Sequence, residues 1–333
     1  MTFSKYNGST VLITGGAGFI GSRLAKKLVD YGAKPIIIDN LHPQGGGNLY
    51  NIMSIIKKIH FLNKDIQSCV QNAIELSAIV GDCEYLFHLA GLTGHMDSMI
   101  SPLIDLKQNV EATLNLLEFC REHHPKIRVI YTSTRQLYGS PTYLPVDEQH
   151  PVNPLDINGI HKLTSENYVN LYYKYHKIPT TILRLSNVYG PGLRVKDSKQ
   201  MFLGAWLRSI LEDKPFEIWG GEQKRDLIYV DDLCDAILLA ALSSNTIGET
   251  YNIGGNESVS LNDLAKILTE SARKKVLYHI KSYPQDRKPI EIGDIYLDSQ
   301  KLKSAIAWSP NIDLRTGLSF TLNYYQQHLP GYL

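Results

Sequence analysis

Thr14-Gly15-Gly16-Ala17-Gly18-Phe19-Ile20-Gly21 follows an apolar run, Val11-Leu12-Ile13, and opens a segment whose apolar residues Phe19, Ile20, Leu24, Leu28 and Val29 recur with helical period. Strand, glycine turn and helix in that order give a dinucleotide fingerprint its physical meaning. Gly15 permits the sharp turn, Gly18 lets backbone N–H groups approach a pyrophosphate, and Gly21 lets helix and strand pack closely. The pyrophosphate would lie over the first turn, at Phe19 and Ile20, where unpaired N–H groups and the helix dipole favour an anion.

Glycine patterns also occur in α/β domains that bind nothing, so a second signal has to decide. Lys34-Pro35-Ile36-Ile37-Ile38-Asp39-Asn40 is a short apolar strand ending in an acid. Asp39 lies 18 residues beyond Gly21, close to the spacing of a carboxylate that hydrogen-bonds a ribose 2′-OH. An acid there repels a 2′-phosphate, which points to NAD rather than NADP, with Asn40 beside it in the same contact. The loop that follows, with Gly45-Gly46-Gly47, could wrap a phosphate or simply turn the chain.

Bulk properties exclude several classes. A formal net charge of +1 gives no general attraction to nucleic acid or anionic membranes. The four cysteines, Cys69, Cys83, Cys120 and Cys234, form no CxxC pair and no metal-like spacing, so reduced thiols and no metal are expected. Residues 1–9 lack the pattern of a signal peptide and no 18-residue apolar window occurs, so the expectation is a cytoplasmic protein without a membrane span.

Further strands are read at Ile59-His60-Phe61-Leu62, Glu84 to Gly91 and Ile127 to Tyr131. Asp65 and Ile66 follow the third and fall where an adenine would lie; Leu89 and Ala90 end the fourth at the cofactor groove. His88 sits in an apolar strand and is read as a satisfied core histidine. A helix is expected over 101–122, capped by Ser101-Pro102, with Leu103, Leu106, Val110, Leu114, Leu117 and Phe119 as its stripe. Strands alternating with helices at this spacing predict an α/β, doubly wound parallel sheet, with ligands beyond the carboxyl ends of its strands.

Thr132-Ser133-Thr134-Arg135-Gln136-Leu137-Tyr138-Gly139, Asn158-Gly159-Ile160-His161-Lys162, Leu183-Arg184-Leu185-Ser186-Asn187-Val188-Tyr189-Gly190-Pro191 and Arg225-Asp226-Leu227-Ile228-Tyr229-Val230-Asp231-Asp232 come next. With TGGAGFIG they make the chain resemble the extended short-chain dehydrogenase/reductases, specifically the NAD-dependent nucleotide-sugar epimerase/dehydratases, from about Thr10 to about Tyr325. The resemblance implies a Rossmann domain, residues 1–186 plus about 226–250. It also implies a smaller α+β lobe for the nucleotide sugar, 187–225 plus about 251–333. A homodimer through helices 101–122 and 159–176 is implied as well.

In this family a Ser or Thr, a Tyr and a Lys perform the acid/base work beside the nicotinamide. Thr134 and Lys162 match the first and last. The tyrosine, four residues before the lysine, is replaced by Asn158, and an amide cannot take a proton from a sugar hydroxyl near neutral pH. Another group could serve as base, Lys162 or His161 being at hand; substrate or another loop could supply the acceptor; or the protein could bind without catalysis. His95 and Asp97 could form an acid/base pair, or Asp97 or Ser98 could cap a helix.

Arg135 and Gln136 stand where related 4,6-dehydratases carry Asp-Glu, which disfavours elimination of water. Arg135 could bind a substrate carboxylate, as on a uronic acid, or a phosphate, or pair with a neighbouring acid. By resemblance Asn187, Arg225 and Arg287 contact the substrate's sugar or diphosphate, Trp219 or Phe216 the base, and Arg194 with Lys196 further phosphate oxygens. The implied reaction is epimerisation, at C4, through a transient ketone. A decarboxylase- or dehydratase-type enzyme with a base other than tyrosine is the alternative.

Overall fold

The structure, a computed structural model, describes residues 2–197, 201–272, 276–285 and 287–333. Strand β1 (Thr10–Thr14) is buried on both faces beyond its first residue, as an unbroken apolar run requires of a central parallel strand. β2 (Lys34–Ile38), β3 (His60–Leu62), β4 (Tyr85–His88), β5 (Arg128–Thr134) and β6 (Thr180–Leu185) follow along the chain. Then come β7 (Asn187–Tyr189), β8 (Phe216–Trp219), β9 (Lys224–Tyr229), β10 (Thr250–Ile253), β11 (Ser258–Ser260) and β12 (Tyr278–Lys281). The main sheet has the order β10-β6-β5-β4-β1-β2-β3, and all its pairings are parallel. Strand order reverses between β1 and β4, so the carboxyl ends of those two strands open the crevice where such sheets take ligands.

Helices Phe19–Asp30 and Val230–Leu242 cover one face of this sheet, burying Leu24, Leu28, Leu233 and Ile237. Helices Ala112–His123 and Ile157–His176 cover the other, with Leu116, Phe119, Val169 and Tyr172. A separate core holds Trp206, Phe216, Leu264, Leu318 and Tyr325 beside two small sheets, β11-β9-β7 and β12-β8. All four cysteines are buried and free.

Several sequence expectations need correction. The division at 250/251 falls inside β10, which belongs to the main sheet; Leu302, Ile306 and Trp308 pack into that same core. Ser101 makes no side-chain cap. The helix over 102–123 is interrupted at Lys107–Glu111 by a π-turn, in which Ala112 N–H bonds the carbonyl of Lys107. Its expected stripe therefore divides: Leu103 is 77% exposed and Leu106 40%, whereas Leu117 is 2% exposed. The second helix starts at Ile157, where Asp156 caps it by accepting the Gly159 N–H at 2.7 Å.

His88 is a core residue, as its apolar strand suggests. Its Nδ1 lies 2.7 Å from Thr14 Oγ1 and its Nε2 3.0 Å from Thr113 Oγ1, and burial lowers its pKa to about 3, so it stays neutral. Glu166 and Arg184 form a buried fork, Arg184 Nη2 donating to Oε2 at 2.7 Å and Nη1 to the Tyr138 hydroxyl at 2.9 Å. Removing one member of such a pair strands the other charge. Glu166→Ala is expected to lower stability by about 3–5 kcal/mol, read from the urea midpoint with the denaturant slope unchanged.

Candidate active site

The groove lies across the carboxyl ends of β1, β4 and β5. Its first wall is the glycine turn. Gly15 has φ +71°, and a Cβ on it would stand 2.8 Å from the Ala90 nitrogen. Gly18 heads helix Phe19–Asp30 without a side-chain cap. The N–H groups of Phe19, Ile20 and Gly21 precede the first intrahelical bond, Ser22 N to Gly18 O. A Cβ on Gly18 would meet only the Gly15 carbonyl, at 3.1 Å, so the backbone is bare toward the groove. Uncapped donors at a helix N-terminus suit a pyrophosphate.

Asp39 ends β2 with both carboxylate oxygens engaged, accepting Ala17 N–H at 3.0 Å and Leu41 N–H at 2.9 Å. Burial pushes its pKa up, and the backbone donors oppose that shift. Each oxygen keeps a second lone pair for a ribose hydroxyl. Asn40, Ile66, Leu89 and Ala90 complete this part of the lining. Asp65 does not line it; it caps the helix starting at Ile66 and accepts from Asn40 Nδ2 at 2.8 Å. The residues present thus fit a dinucleotide, from the glycine cradle to the acid at the end of β2.

At the other end, Thr134 and Lys162 reach the groove from β5 and from helix Ile157–His176. Lys162 is buried, with Nζ 3.4 Å from the Thr132 carbonyl and 5.2 Å from the centre of the Tyr131 ring. Burial pulls its pKa down to about 8, against the opposing charges of Asp105 and Glu166. Asn158 lines the groove too, but its amide nitrogen is committed, to the Leu92 carbonyl at 2.7 Å and to Asp105 at 3.0 Å. His161 does not line the groove. Its Nδ1 faces Asp105 at 2.7 Å, so that nitrogen is committed to the carboxylate.

Asp105 is the hub of a buried network that no local pattern announces: Asn109, Asn158 and His161 all bond it. Asn109 sits in the π-turn, gives its carbonyl to Thr113 and Ser165, and keeps a buried Oδ1 with no hydrogen-bond partner among the described residues. A second unforeseen pair is His95 with Asp156. His95 lines the groove, and its Nδ1 stands 2.9 Å from Asp156 Oδ2, an ion-pair distance, off the line of a straight hydrogen bond. Asp156 could have been suspected as an N-cap, an acid just ahead of a helical segment; nothing local links it to His95.

On the substrate side, Asn187 and Arg135 line the groove together, Arg135 Nη2 donating to Asn187 Oδ1 at 2.8 Å. Among the described residues no acid pairs with Arg135. Burial, then the neighbouring Arg225, lowers its pKa to about 10, so it stays charged at neutral pH. Other expected substrate residues lie outside this lining. Arg225 pairs with Glu291 at 3.0 Å; Arg287 stacks on Trp219, 4.6 Å from the ring centre. Arg194 pairs with Asp197 and donates to the Gly45 carbonyl, tying the glycine loop to the second lobe. Phe216 is core, packed with Trp206.

A family model described as the NAD dependent epimerase/dehydratase family matches residues 11–254. The chain is 35% identical over 321 residues to a putative UDP-glucose 4-epimerase of Methanocaldococcus jannaschii, covering 96% of this chain and 99% of that one. Among solved structures it is similar to the UDP-glucose 4-epimerase of Thermotoga maritima with UDP-glucose, at 29% identity, TM-score 0.86, and 96% and 99% coverage. It is likewise similar to the UDP-glucuronic acid 4-epimerase of Bacillus cereus with UDP-glucuronic acid and NAD, at 29% identity, TM-score 0.83, and 96% and 99% coverage.

Proposed function

Because the chain belongs to the NAD dependent epimerase/dehydratase family and is an NAD-dependent enzyme, we propose that it epimerises a nucleotide-diphosphate sugar at C4 through a transient ketone. One observation carries this reading. Thr134 and Lys162 meet at one groove, while Arg135 and Gln136 line it at the places where, by resemblance, 4,6-dehydratases carry Asp-Glu. Relatives that are 4-epimerases of UDP-sugars support the same chemistry.

Bound NAD supplies a hydride acceptor and, on the return step, the donor. The chain's own residues bind and orient. In this reading the glycine turn and first helical turn hold the pyrophosphate, Asp39 a ribose, and Lys162 the ribose beside the nicotinamide. Thr134 hydrogen-bonds the oxygen on the reacting carbon, and Arg135 with Asn187 fixes the sugar, Arg135 facing an anionic substituent such as a carboxylate. Arg225, Arg287 and Trp219, outside the groove lining, are assigned the nucleotide end, and Arg194, bonded to the Gly45 carbonyl, further phosphate oxygens. The exposed Ile100, Leu103, Ile104 and Ile160, 44–77% accessible, are read as the contact between two copies.

Incubation with UDP-, dTDP-, GDP- and CDP-hexoses and with UDP-glucuronic acid is expected to give a 4-epimer from at least one donor, with transient NADH absorbance. Absence of product from every donor, with NAD still bound, would refute the epimerase reading.

A further inference from the structure

Tyrosine's absence leaves the reaction without an evident proton acceptor, and the groove contains a replacement. We propose that His95, oriented by Asp156, is the general base and acid that exchanges the proton of the reacting sugar hydroxyl. This rests on the epimerase reading and deepens it.

The alternatives are weaker on geometry. Asn158 has no basic atom, and its amide nitrogen is spent on Leu92 and Asp105. The His161 ring is turned to Asp105 and away from the groove. Lys162 is buried against the Thr132 carbonyl, where a ribose is its natural partner. Among these, His95 alone combines a titratable ring in the groove lining, a side chain 36% exposed and an anionic partner whose own side chain is wholly buried.

Asp156 is held from three sides. Oδ1 accepts the Gly159 N–H at 2.7 Å and Oδ2 accepts Gln136 Nε2 at 3.0 Å, while His95 Nδ1 stands at ion-pair distance from Oδ2, 2.9 Å. Burial alone would raise its pKa; His95, Gly159 and Gln136 outweigh that and hold it low, so it remains a carboxylate. A carboxylate at Nδ1 favours the tautomer with its proton there and leaves Nε2 as the basic atom. Gln136 lies two residues after Thr134, and Gly159 one after Asn158. One carboxylate therefore fixes the histidine relative to both the Thr134 segment and the Lys162 helix.

The step balances without a further reactant. The sugar O–H bond breaks and its proton goes to His95 Nε2, while the C–H bond breaks and its hydride goes to the bound nicotinamide, forming C=O. In return the hydride is delivered to the opposite face of the carbonyl carbon and the imidazolium returns its proton to the oxygen.

The test uses the full-length, NAD-bound protein with UDP-glucose and UDP-glucuronic acid as probes. His95→Ala is expected to lower kcat about 10²–10⁴-fold with KM within a few-fold and bound NAD unchanged, and added imidazole to restore part of the rate. Asp156→Asn keeps an N-cap residue and is expected to lower kcat about tenfold while leaving KM in place. A His95→Gln variant within threefold of wild-type kcat, or a His95→Ala loss that imidazole does not relieve, overturns the proposal while the epimerase reading stands. Nitrogen NMR of the histidines decides the matter even if neither probe turns over. The Nδ1–H tautomer at His95, disturbed in Asp156→Asn, supports the pair; the Nε2–H tautomer, or no response to Asp156→Asn, overturns it.

Discussion

Replacing Lys162 with methionine is expected to cut turnover a thousandfold or more while making the protein harder to unfold. The two effects have one cause. Among the described residues Lys162 is buried with a single long hydrogen bond to protein, and its pKa falls from 10.5 to about 8. Below pH 8 the folded and unfolded chains both hold the proton, so the whole penalty of burying the ammonium is felt. Between 8 and 10.5 the folded state loses the proton first and stability recovers as pH rises. Above 10.5 the penalty is gone. At 1.36 kcal/mol per pKa unit it is roughly 3 kcal/mol near neutrality. Methionine fills similar volume without charge, so the cofactor-stripped variant should gain about 1–3 kcal/mol at pH 7 and nothing above pH 10.5. Denaturation curves at pH 7 and 10.5, beside kcat, check both halves. A variant that keeps its rate would show that the groove's chemistry does not use this ammonium.

Gly21→Ala is expected to weaken NAD binding at least a hundredfold, about 3 kcal/mol, and to cost about 1–3 kcal/mol of stability through overpacking. The added Cβ would stand 2.3 Å from the Gly15 carbonyl oxygen and 2.8 Å from Gly16 Cα, both backbone atoms. Gly15 has little room to retreat, being at positive φ and close against Ala90. The turn must therefore deform where its N–H groups would face a pyrophosphate. Titration calorimetry with NAD measures the effect; an affinity within threefold of the parent would mean the turn is not the phosphate cradle.

Much of the fold is legible from local pattern. β1, β2, β4 and β5 are buried strands written as apolar runs, and the glycine turn is a motif whose members are neighbours in sequence. Thr134 and Lys162 follow from the family resemblance, and both reach one groove. What local pattern does not reveal joins residues far apart along the chain. His95 meets Asp156 across 61 positions and Asp105 meets His161 across 56, with no periodicity relating either pair. His161 resembles a base because a helix sets it beside Lys162, yet the two face different neighbours. Arg225 and Arg287 stand against Glu291 and Trp219, outside the groove lining, contacts that their charge alone does not reveal.

The π-turn at Lys107–Glu111 bears on which changes of length this chain can tolerate. Surface helices commonly gain or lose a residue by sliding their ends. Here, a one-residue change of length that this wide turn did not take up would swing everything upstream by about 100°. Asp105 would leave its place between Asn158 and His161, and the outward aliphatic row at Leu103 and Ile104 would rotate out of its present direction. Length ahead of the turn is therefore held more tightly than the identity of outward side chains such as Leu103 and Ile104.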